Sequence, residues 1–356
     1  MSGFFVTALF LCGCISSSHS ASRPLALESA NALSLEAETK PVDANLNVEE
    51  VDFEGFQERF GKRYTEEEIE HRRMVFEANK KKVETNNADK SKQYTLEVNK
   101  FADLTHEEFK KLYTGASGGQ QSCSATGTHV RAQNGLSVPE SMDWRDKGVV
   151  SPVKDQGQCG SCWTFSTTGA LESAHALVYG EIVSLSEQQL VDCAGNFDTA
   201  GCDGGLPSHA FEYVRYNGGI DTELAYPYKG KDGSCHYESK AVATKVKGSV
   251  NITQNDEAEL QDAVGLHKPV SIAFDCADDF MLYKSGVYSS DTCGSTSADV
   301  NHAVLVVGYG SQDGEDYWIV KNSWGASWGE AGFFRIKRNV NMCGLATCAS
   351  YPELEI

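Results

Sequence analysis

Two helices are predicted in the first third of the chain from the spacing of its apolar residues. Phe53, Phe56 and Phe60 recur at steps of three and four, the period of one buried helical face. A second segment runs from about residue 66 to residue 87, and six residues on one of its faces recur at steps of 4, 4, 3, 4 and 4: Glu68, Arg72, Phe76, Asn79, Val83 and Asn87. Spacing alone indicates an amphipathic helix that carries an ion pair between Glu68 and Arg72.

The rest of the chain changes from a helical pattern to a strand-like one. A long helix is predicted from Ser161 to about Tyr179 with Ser161 as its cap, and Ser186 with Gln189 resembles the capping box of another helix. After about residue 251, short apolar runs alternate with Gly, Asn and Asp turns, at 270–274, 303–307, 317–320 and 333–336. Residues 308–310 (GYG) lack the third glycine of a dinucleotide-binding loop, so a hairpin turn is predicted there.

Segments outside these patterns divide the chain. Residues 4–15 form one apolar run that is too short to cross a bilayer and is typical of a signal peptide, which is predicted for residues 1–20. Residues 22–50 show no sustained period and predict no core. Residues 114–137 are small, polar and glycine-rich, which predicts a mobile linker open to processing proteases and a boundary between two units.

Charge narrows the classes of function. The 356-residue chain carries a formal net charge of −19, so a phosphate backbone or an anionic membrane surface would repel it at neutral pH. We therefore expect neither nucleic acid nor membrane among its partners. A solvated acidic surface of this kind suits an acidic compartment.

Twelve cysteines are present, and a signal peptide would direct ten of them to an oxidising compartment, because two lie within the signal itself. Cys159 and Cys162 form a C-x-x-C pair, which suits a redox pair, half of a zinc site, or a structural cysteine next to a catalytic one. Zinc requires a second close pair of ligands, and the spacing of Cys343 and Cys348 is wider than usual. A redox pair requires a preceding strand of a βαβ unit, and the run before residue 156 is short and interrupted by proline.

The third alternative has direct support further along the chain. The segment 159–163 (CGSCW) is followed by His302 and Asn322, 140 and 160 residues beyond Cys162, in the order that marks papain-like cysteine peptidases. Asn322 opens an N-S-W-G-x-x-W-G motif, His302 lies in V-N-H-A, and residues 201–205 (GCDGG) match the family's substrate-binding loop. Over residues 138–352 the chain resembles the papain-like cysteine peptidase family, and within it the cathepsin H and aleurain branch.

This resemblance implies an α+β fold. The expected architecture is a papain-like two-lobed domain, with a helical left lobe and a β-barrel-like right lobe, preceded by a helical inhibitory prodomain. The corresponding boundaries are 1–20 for the signal peptide, 21–135 for the propeptide with its inhibitor domain at about 53–113, and 136–356 for the mature peptidase. The cleft between the lobes is expected to hold Cys162 on one wall and His302 with Asn322 on the other. The implied reaction is hydrolysis of peptide bonds through an acyl-enzyme.

Cys162 is the expected nucleophile, and nucleophilic attack requires its thiolate. A free thiol has a pKa of about 8.5, so about one molecule in three thousand is ionised at pH 5. A helix N-terminus and a protonated His302 both favour the anion, and papain-type pairs have a pKa of about 3 to 4. His302 is then expected to protonate the leaving amine while Asn322 orients the imidazole. The side-chain amide of Gln156 and the Cys162 N–H form the expected oxyanion hole.

Substrate-binding residues are assigned by the same resemblance. Gly204 and Gly205 let an extended substrate approach closely, and Trp324 is expected to shield the imidazole from water. Residues 119–126 resemble the mini-chain of the cathepsin H branch, a propeptide piece that stays in the cleft through a disulfide. The carboxylate of that piece, at Thr126, would pair with the substrate's α-ammonium and favour removal of single N-terminal residues.

The prosegment carries two motifs of the family's inhibitory propeptide. The helix face described above matches E-x3-R-x3-F-x2-N-x3-I-x3-N with Val83 for isoleucine, and residues 97–103 match G-x-N-x-F-x-D with Glu97 for glycine. The resemblance implies that this segment covers the active-site cleft and leaves on acidification. Asp103 is a candidate trigger, because protonation of a paired carboxylate removes its stabilisation as pH falls.

The remaining expectations also follow from the resemblance. Cys162 and Cys276 stay unpaired, and the implied disulfides are Cys159–Cys202, Cys193–Cys235, Cys293–Cys343 and Cys123–Cys348. The sequon at Asn251 is a candidate glycosylation site. No metal or organic cofactor is implied. The expected partners are protein or peptide substrates, the chain's own propeptide and cystatin-like inhibitors, for a monomer in a lysosome- or vacuole-like compartment or outside the cell.

Two alternatives stay open at this point. One is an endopeptidase of the same family without a functional mini-chain. The other is a non-catalytic papain-like protein that serves for binding or storage. The intact Cys162 favours a catalyst over this second alternative.

Overall fold

The computed structural model describes residues 51–116, 125–131 and 137–356. Its α-helices in these ranges are α1 Phe53–Phe60, α2 Ile69–Ala88, α3 His106–Tyr113, α4 Cys162–Tyr179, α5 Glu187–Cys193, α6 Pro207–Asn217 and α7 Glu257–Leu266. Helices α1, α2 and α4 confirm the periodic segments predicted from the sequence. None of the helices in these ranges combines the length and apolar character that crossing a bilayer requires. The predicted signal peptide (1–20) and most of the predicted mini-chain, including Cys123, lie outside the described residues.

The strands of the described residues form one large sheet and one small one. They are β1 Tyr94–Leu96, β2 Gly127–Thr128, β3 Met142–Asp143, β4 Ile220–Asp221, β5 Val242–Thr244, β6 Val246–Asn251, β7 Val270–Phe274, β8 Tyr283–Tyr288, β9 His302–Gln312, β10 Glu315–Lys321, β11 Phe333–Lys337 and β12 Ser350–Leu354. The large sheet has the order β1-β8-β11-β10-β9-β7-β12-β6-β2, with β3 beside β9, and β4 pairs with β5. Strands β7, β9, β10 and β11 contain the four predicted apolar runs.

The large sheet is open, which corrects the expectation of a β-barrel-like right lobe. Its path ends at β1 on one side and at β2 on the other, and no pairing joins these two strands within the described ranges. Both end strands precede residue 138, where the match to the protease domain begins, so β1 covers the edge at β8 and β2 covers the edge at β6. Covered edges hide N–H and C=O groups that would otherwise pair with another chain.

Two hydrophobic cores fill the described molecule. One lies among α4, α5 and α6, where Trp163, Leu171 and Phe211 are fully buried. The other lies between the large sheet and the prosegment. There the prodomain ring of Phe109 meets the Trp324 indole edge-on, with ring centroids 5.0 Å apart. The α+β class is therefore confirmed, and the prodomain shares a core with the β half of the mature domain.

Polar contacts between helices hold the prodomain together. Arg72 Nη1 on α2 donates to Glu108 Oε2 on α3 at 2.8 Å and to the Asp103 carbonyl oxygen at 3.0 Å. Arg72 thus pairs with Glu108 in place of the predicted Glu68. The reason is that Glu68 precedes the helix and its carboxylate accepts from the N–H and hydroxyl of Thr65.

The segment after β1 links the prodomain to the mature domain. Asn99 Nδ2 donates to the Met281 carbonyl oxygen of the mature domain at 2.9 Å. Asp103 is buried and accepts from Lys62 Nζ and from the Tyr64 hydroxyl, each at 2.8 Å. The residues that match the second propeptide motif therefore make both a contact with the mature domain and an internal ion pair.

Two local predictions are wrong for steric and geometric reasons. Residues 308–310 lie inside β9, and the turn to β10 is formed by Asp313 and Gly314, both with positive φ. Glycine stands at 308 because a Cβ there would lie 2.2 Å from the carbonyl oxygen of Met142 on β3. Ser161 precedes α4, but its hydroxyl contacts the Tyr228 hydroxyl at 2.6 Å instead of capping the helix.

Candidate active site

Cys162 is the first residue of α4 and lies at the N-terminal end of that helix. Its side chain is fully buried, and its sulfur accepts a hydrogen bond from the Ala303 N–H of β9 at 3.3 Å. The Cys159–Cys202 disulfide ties the loop before α4 to residues 201–205. The helix end and the Ala303 N–H therefore place partial positive charge around the sulfur.

Adjacent strands bring His302 and Asn322 together. His302 is the first residue of β9, and Asn322 directly follows the last residue of β10, which pairs antiparallel with β9. His302 Nε2 lies 2.8 Å from Asn322 Oδ1. His302 Nδ1 makes no hydrogen bond with any described residue. Because Ala303, the next residue of β9, contacts the sulfur of Cys162, Nδ1 is the nitrogen available to the nucleophile.

Trp324 and Gln156 complete the site. The Trp324 indole stacks on the His302 imidazole, with ring centroids 4.6 Å apart and 23° between the planes, and so shields the imidazole. Gln156 is fully buried, and its Oε1 accepts from the Ser323 hydroxyl at 2.7 Å. This bond fixes the amide orientation and leaves Gln156 Nε2 as a donor.

Residues 113–116 of the prosegment lie against these same groups. The Tyr113 carbonyl oxygen accepts from Gln156 Nε2 at 3.1 Å and from Trp324 Nε1 at 3.2 Å. The Gly205 N–H donates to the Gly115 carbonyl oxygen at 2.9 Å. The chain's own backbone thus occupies donors that the sequence assigns to substrate binding and catalysis.

Gly115 passes through the narrowest point of this contact. A Cβ at position 115 would lie 1.9 Å from the Gly160 carbonyl oxygen, and one at Gly204 would lie 2.6 Å from the Gly115 carbonyl oxygen. On the other side, the Asn301 carbonyl accepts from the N–H groups of Gly115 and Ala116 at 2.9 and 2.8 Å. The prosegment backbone is held from two sides, with no room for a side chain at position 115.

Burial sets the protonation of Cys162 and His302 in the covered site. Burial raises the pKa of the Cys162 thiol to about 12, although the N–H groups of Ala303, Trp163 and Ala116 act in the opposite direction. Burial also lowers the pKa of His302 to about 4, against the effect of its hydrogen bond to Asn322. Both groups are therefore neutral between pH 5 and pH 7. The covered site holds a thiol where the sequence predicts a thiolate–imidazolium pair, because the prosegment excludes the water that would solvate the charges.

Comparison with known proteins adds a second line of support. A family model described as papain family cysteine protease matches residues 138–353, more than half of the chain, and the cathepsin propeptide inhibitor domain (I29) matches residues 53–109. The chain belongs to the papain family of cysteine proteases. Its prosegment is the inhibitor domain of that family, so the protein is a protease zymogen.

Relatives of high identity match most of the chain. Pro-cathepsin H of Medicago truncatula is 56% identical over 303 residues, 85% of each chain. Thiol protease aleurain of Arabidopsis thaliana is 56% identical over 84% of this chain and 83% of its own, and pro-cathepsin H of Mus musculus is 52% identical over 86% and 91%. Among solved structures, digestive procathepsin L2 proteinase from Tenebrio molitor larval midgut gives a TM-score of 0.79 at 43% identity, covering 85% of this chain and 98% of that one. These relatives confirm the predicted resemblance to the cathepsin H and aleurain branch.

Within the described residues, the structure of this papain-family zymogen contains three of the expected disulfides, Cys159–Cys202, Cys193–Cys235 and Cys293–Cys343. Cys162 and Cys276 are free and buried. Cys123 lies outside the described residues, so its pairing with Cys348 stays a prediction.

Thr126 does not lie with the catalytic residues in the uncut chain. Its hydroxyl donates to the Ser249 carbonyl oxygen at 2.9 Å and accepts from the Ser249 N–H at 2.7 Å, on β6. Strand β6 is three positions from β9 in the sheet, about 14 Å at about 4.8 Å for each strand. A role for Thr126 in the cleft therefore requires cleavage of the chain and movement of this segment. Asn251, the predicted glycosylation site, is half-buried on the same strand between Thr128 and Ser350, and its modification stays a prediction.

Asn301 is a contact residue of the cleft to which the sequence assigned no role. Its backbone carbonyl binds the prosegment, and its side chain donates to Asp275 Oδ1 and accepts from the Cys276 N–H. A residue that acts through its backbone carbonyl can be of almost any type, so its identity does not reveal the role. Only the V-N-H-A motif drew attention to this position. Gly115 is likewise indistinguishable by sequence from the other glycines of the linker.

A buried charge cluster supports the floor of the site. Lys154 Nζ lies 2.9 Å from the Glu172 carboxylate on α4 and 2.7 Å from the Glu187 carboxylate on α5. Lys321, the last residue of β10, donates to the Ser151 hydroxyl at 2.8 Å. Burial lowers the pKa of Lys321 to about 8 and raises the pKa of Glu187 to about 7. Removing one charge would leave the others uncompensated, so the cluster fixes the end of β10 relative to α4 and α5.

Proposed function

We propose that Cys162 attacks the peptide carbonyl, that His302 transfers the proton and that Asn322 orients the imidazole. The observation that carries this proposal is the meeting of three elements at one point. The sulfur at the start of α4 lies 3.3 Å from the Ala303 nitrogen, next to the 2.8 Å bond between His302 and Asn322. No further group is required for thiol-dependent hydrolysis of a peptide bond.

The reaction begins when residues 113–116 leave the cleft. Water and substrate then replace the cover, and the Cys162 proton moves to His302 Nδ1 to give the thiolate–imidazolium pair. Attack on the carbonyl carbon forms a tetrahedral intermediate, whose oxyanion accepts from Gln156 Nε2 and the Cys162 N–H. His302 donates its proton to the leaving amine as the C–N bond breaks. A water molecule then cleaves the thioester, returns a proton through His302 and restores the thiol.

Residues of the cleft wall support a role in holding substrate. In the zymogen the Gly205 N–H binds a backbone carbonyl of the prosegment, and the same N–H is free to bind a substrate carbonyl after release. A side chain at Gly204 would obstruct a backbone that lies as Gly115 does. We assign Gly204, Gly205 and Trp324 to this subsite.

We infer further that the processed enzyme acts mainly as an aminopeptidase. Residues 120–126 (QQSCSAT) resemble the mini-chain of the cathepsin H branch, and Cys123 and Cys348 are both present to tether it. A retained peptide ending at Thr126 would block the non-primed side of the cleft and place a carboxylate where a free α-ammonium can pair with it. Substrates with a free N-terminus would then be cleaved after their first residue.

The compartment follows from the leader and the charge of the chain. The predicted signal peptide directs the chain into the secretory pathway, and we propose an acidic lysosome- or vacuole-like compartment, or secretion, as its destination. The processed enzyme is proposed to act as a monomer on proteins and peptides and to be a target of cystatin-like inhibitors.

Labelling of the processed protein tests the catalytic proposal. At pH 5 an epoxide or iodoacetamide probe should modify Cys162, and both labelling and peptide hydrolysis should be lost in Cys162→Ser. The matched control is Cys276→Ser, since Cys276 is the other free and buried thiol of the described residues, and this variant should keep both signals. A processed protein that neither labels nor hydrolyses peptides would be a binding or storage protein.

Mass spectrometry tests the mini-chain. Reduction of the processed protein should release a small peptide that contains Cys123, whereas the unreduced protein should carry that mass. The Cys123→Ser variant should lack the peptide before and after reduction. A processed protein whose mass is unchanged by reduction would be an enzyme without a tethered mini-chain, which is the endopeptidase alternative.

A further inference from the structure

The propeptide is attached to the mature domain at a second place, outside the cleft. Strand β2 extends the large sheet beside β6, and the next N–H, that of His129, donates to the Asn251 carbonyl oxygen at 2.8 Å. Two residues later Arg131 forms an ion pair with Asp256 at the start of α7. Part of the linker predicted to be mobile is therefore bound to the mature domain on both its backbone and its side chains.

The side chain of His129 is buried at this attachment. Its Nε2 lies 2.9 Å from Asp262 Oδ1 on α7, and the two side chains are 1% and 6% exposed. Its Nδ1 lies 3.0 Å from the Tyr351 hydroxyl on β12. His267, directly after α7, is exposed, and its ring centroid lies 5.2 Å from that of His129. One ligand atom from each of His129, Asp262 and His267 falls within 4.8 Å of the others.

We propose that His129, Asp262 and His267 bind one divalent transition-metal ion, with zinc the ion that best suits these donors, and that the ion fastens the propeptide to the mature domain. Two imidazoles and one carboxylate form a three-ligand set typical of zinc, with a fourth position left for water. Bonds of about 2.0 to 2.2 Å in tetrahedral geometry place ligand atoms about 3.3 to 3.6 Å apart. The three ligand atoms lie within 4.8 Å of one another, so binding requires a closure of at most about 1.5 Å, which the exposed His267 ring can supply. His129 Nε2 and Asp262 Oδ1, now 2.9 Å apart, would move slightly apart to admit the ion.

The contact between His129 and Tyr351 supports this assignment independently. Imidazoles that bind metals usually donate their other ring N–H to a hydrogen-bond partner, which fixes the tautomer and the ring orientation. Donation from Nδ1 to the Tyr351 hydroxyl leaves the lone pair of Nε2 directed at Asp262 and His267.

The charges around the cluster favour a cation. Glu259 lies on α7, the helix that carries Asp262, and Glu353 lies on β12, the strand that carries Tyr351, while Lys268 follows His267 in the chain. Lys268 Nζ is held by the Pro352 carbonyl oxygen at 3.1 Å and lies 5.6 Å from the centre of the Tyr351 ring. Two carboxylates besides Asp262 therefore lie on the elements that carry the cluster, with the one ammonium group of Lys268 beside it.

The site differs in kind from the catalytic centre, because one ligand belongs to the propeptide and two belong to the mature domain. His129 and Asp262 are 133 residues apart, so no sequence motif predicts the cluster. The site exists while residue 129 remains docked and is lost when that segment leaves. Occupancy by a metal would stabilise the docked linker by mass action and so slow its removal.

The test is a calorimetric titration of zinc chloride into the full-length zymogen at pH 7.5. The protein carries Cys162→Ser, which prevents self-processing and removes the catalytic thiol as a competing ligand. We expect one zinc ion for each chain. In His267→Ala the affinity should fall by more than about tenfold, and in Tyr351→Phe by about 10- to 100-fold, the usual effect of removing the hydrogen-bond partner of a metal ligand.

Controls separate metal binding from loss of folding. His267 is exposed, so His267→Ala should leave the melting temperature in EDTA unchanged while it removes the rise in melting temperature that zinc causes. His71→Ala, at an exposed histidine of the prodomain, should behave as the parent protein does. The absence of binding at 0.1 mM zinc, or an affinity that His267→Ala leaves unchanged, would overturn the proposal.

Discussion

At the residue scale, the catalytic pair holds the same number of protons in its covered and uncovered states. Under the prosegment the thiol, with a pKa of about 12, keeps the proton, and the imidazole, with a pKa of about 4, is neutral. In an exposed thiolate–imidazolium pair, the proton that the Cys162 thiol held lies on the His302 imidazole instead. Between about pH 5 and pH 8, uncovering neither takes up nor releases a proton at Cys162 and His302. By linkage, the pair contributes no pH dependence to release of the prosegment in this range.

The covered thiol should be unreactive towards alkylation. A thiol with a pKa of about 12 is ionised in about one molecule in 100,000 at pH 7, and the prosegment also blocks access to it. Iodoacetamide should therefore modify Cys162 at least about a hundredfold more slowly in the zymogen than in the processed enzyme, as measured by mass spectrometry at pH 7. Equal rates in the two forms would show that the cover does not control the nucleophile.

Gln156 should matter for the chemical step. In the zymogen its Nε2 donates to the Tyr113 carbonyl oxygen, so it is a donor prepared for an oxygen in the cleft. Gln156→Ala in the processed enzyme should lower kcat by about 10²- to 10³-fold with little change in KM. Gln158→Ala, two residues away and exposed, serves as the matched control and should stay within about twofold of the parent. Equal effects of the two changes would remove Gln156 from the oxyanion hole.

At the element scale, we expect the loss of the prodomain in acid to depend on the contacts between its helices. Burial tends to raise the pKa of Glu108, but hydrogen bonds from Arg72 and Thr105 outweigh it and leave the pKa lowered. A lowered pKa in the folded state stabilises the prodomain above the ordinary carboxyl pKa, and this stabilisation is lost as pH falls through the lowered value. The Arg72–Glu108 pair therefore weakens in acid, in the direction that activation requires.

Glu108→Gln should raise the pH of self-processing. The amide cannot form the ion pair at any pH, so half-maximal processing should shift upward by about half a pH unit, a modest size because the pair is partly exposed. Gel electrophoresis after a fixed time at each pH measures the shift, and Glu107→Gln, the exposed neighbour, is the control. Asp103→Asn tests the trigger suggested by the sequence. If it leaves the pH of processing unchanged, Asp103 is not the sensor.

The stretch through the cleft should tolerate no side chain at position 115. A Cβ would lie 1.9 Å from the Gly160 carbonyl oxygen, and overpacking of this kind costs about 1 to 3 kcal/mol. Gly115→Ala should therefore weaken the cover, so that the zymogen labels faster with iodoacetamide at pH 7 and processes itself at higher pH. Gly127→Ala is the control, because the nearest atom to its Cβ would be 3.9 Å away. A Gly115→Ala zymogen that labels as slowly as the parent would contradict the proposed contact.

Local periodicity predicted several of the helices and strands, while contacts between distant segments were not predictable. Helices α2 and α4 follow from apolar spacing, and the C-x-x-C, His and Asn motifs pointed to Cys162, His302 and Asn322, which the structure brings to one place. The pairing of β1 with β8 and of β2 with β6 joins segments more than 100 residues apart, so no local pattern encodes it. The same holds for the ion pair of Arg72 with Glu108, which the α2 spacing alone assigned to Glu68. Gly308 is the clearest example of a residue whose role could not be predicted. Glycine is required there because β3 packs closely against it, and β3 was not predicted from the sequence.

At the scale of the whole molecule, the chain before residue 138 covers the protease domain at three places. Strand β1 covers the edge at β8, residues 113–116 fill the cleft, and β2 covers the edge at β6. Removal of the chain up to the predicted boundary at residue 135 would therefore expose Cys162 and both edges of the sheet. The described part of the predicted mini-chain, at Thr126, is attached at the third of these places, far from the catalytic residues. Activation must both remove the inhibitor domain and release this segment before a tethered peptide can enter the cleft.

The most direct test of the proposed function compares two substrates of the processed enzyme at pH 5. One is an aminoacyl dye with a free α-amine, the other is its N-acylated form, and the ratio of their hydrolysis rates is measured. A tethered mini-chain predicts that the free amine is hydrolysed at least about tenfold faster, and that Cys123→Ser loses this preference while it keeps Cys162-dependent activity on acylated substrates. An enzyme that cleaves the acylated substrate as fast as the free one, or faster, would contradict the account.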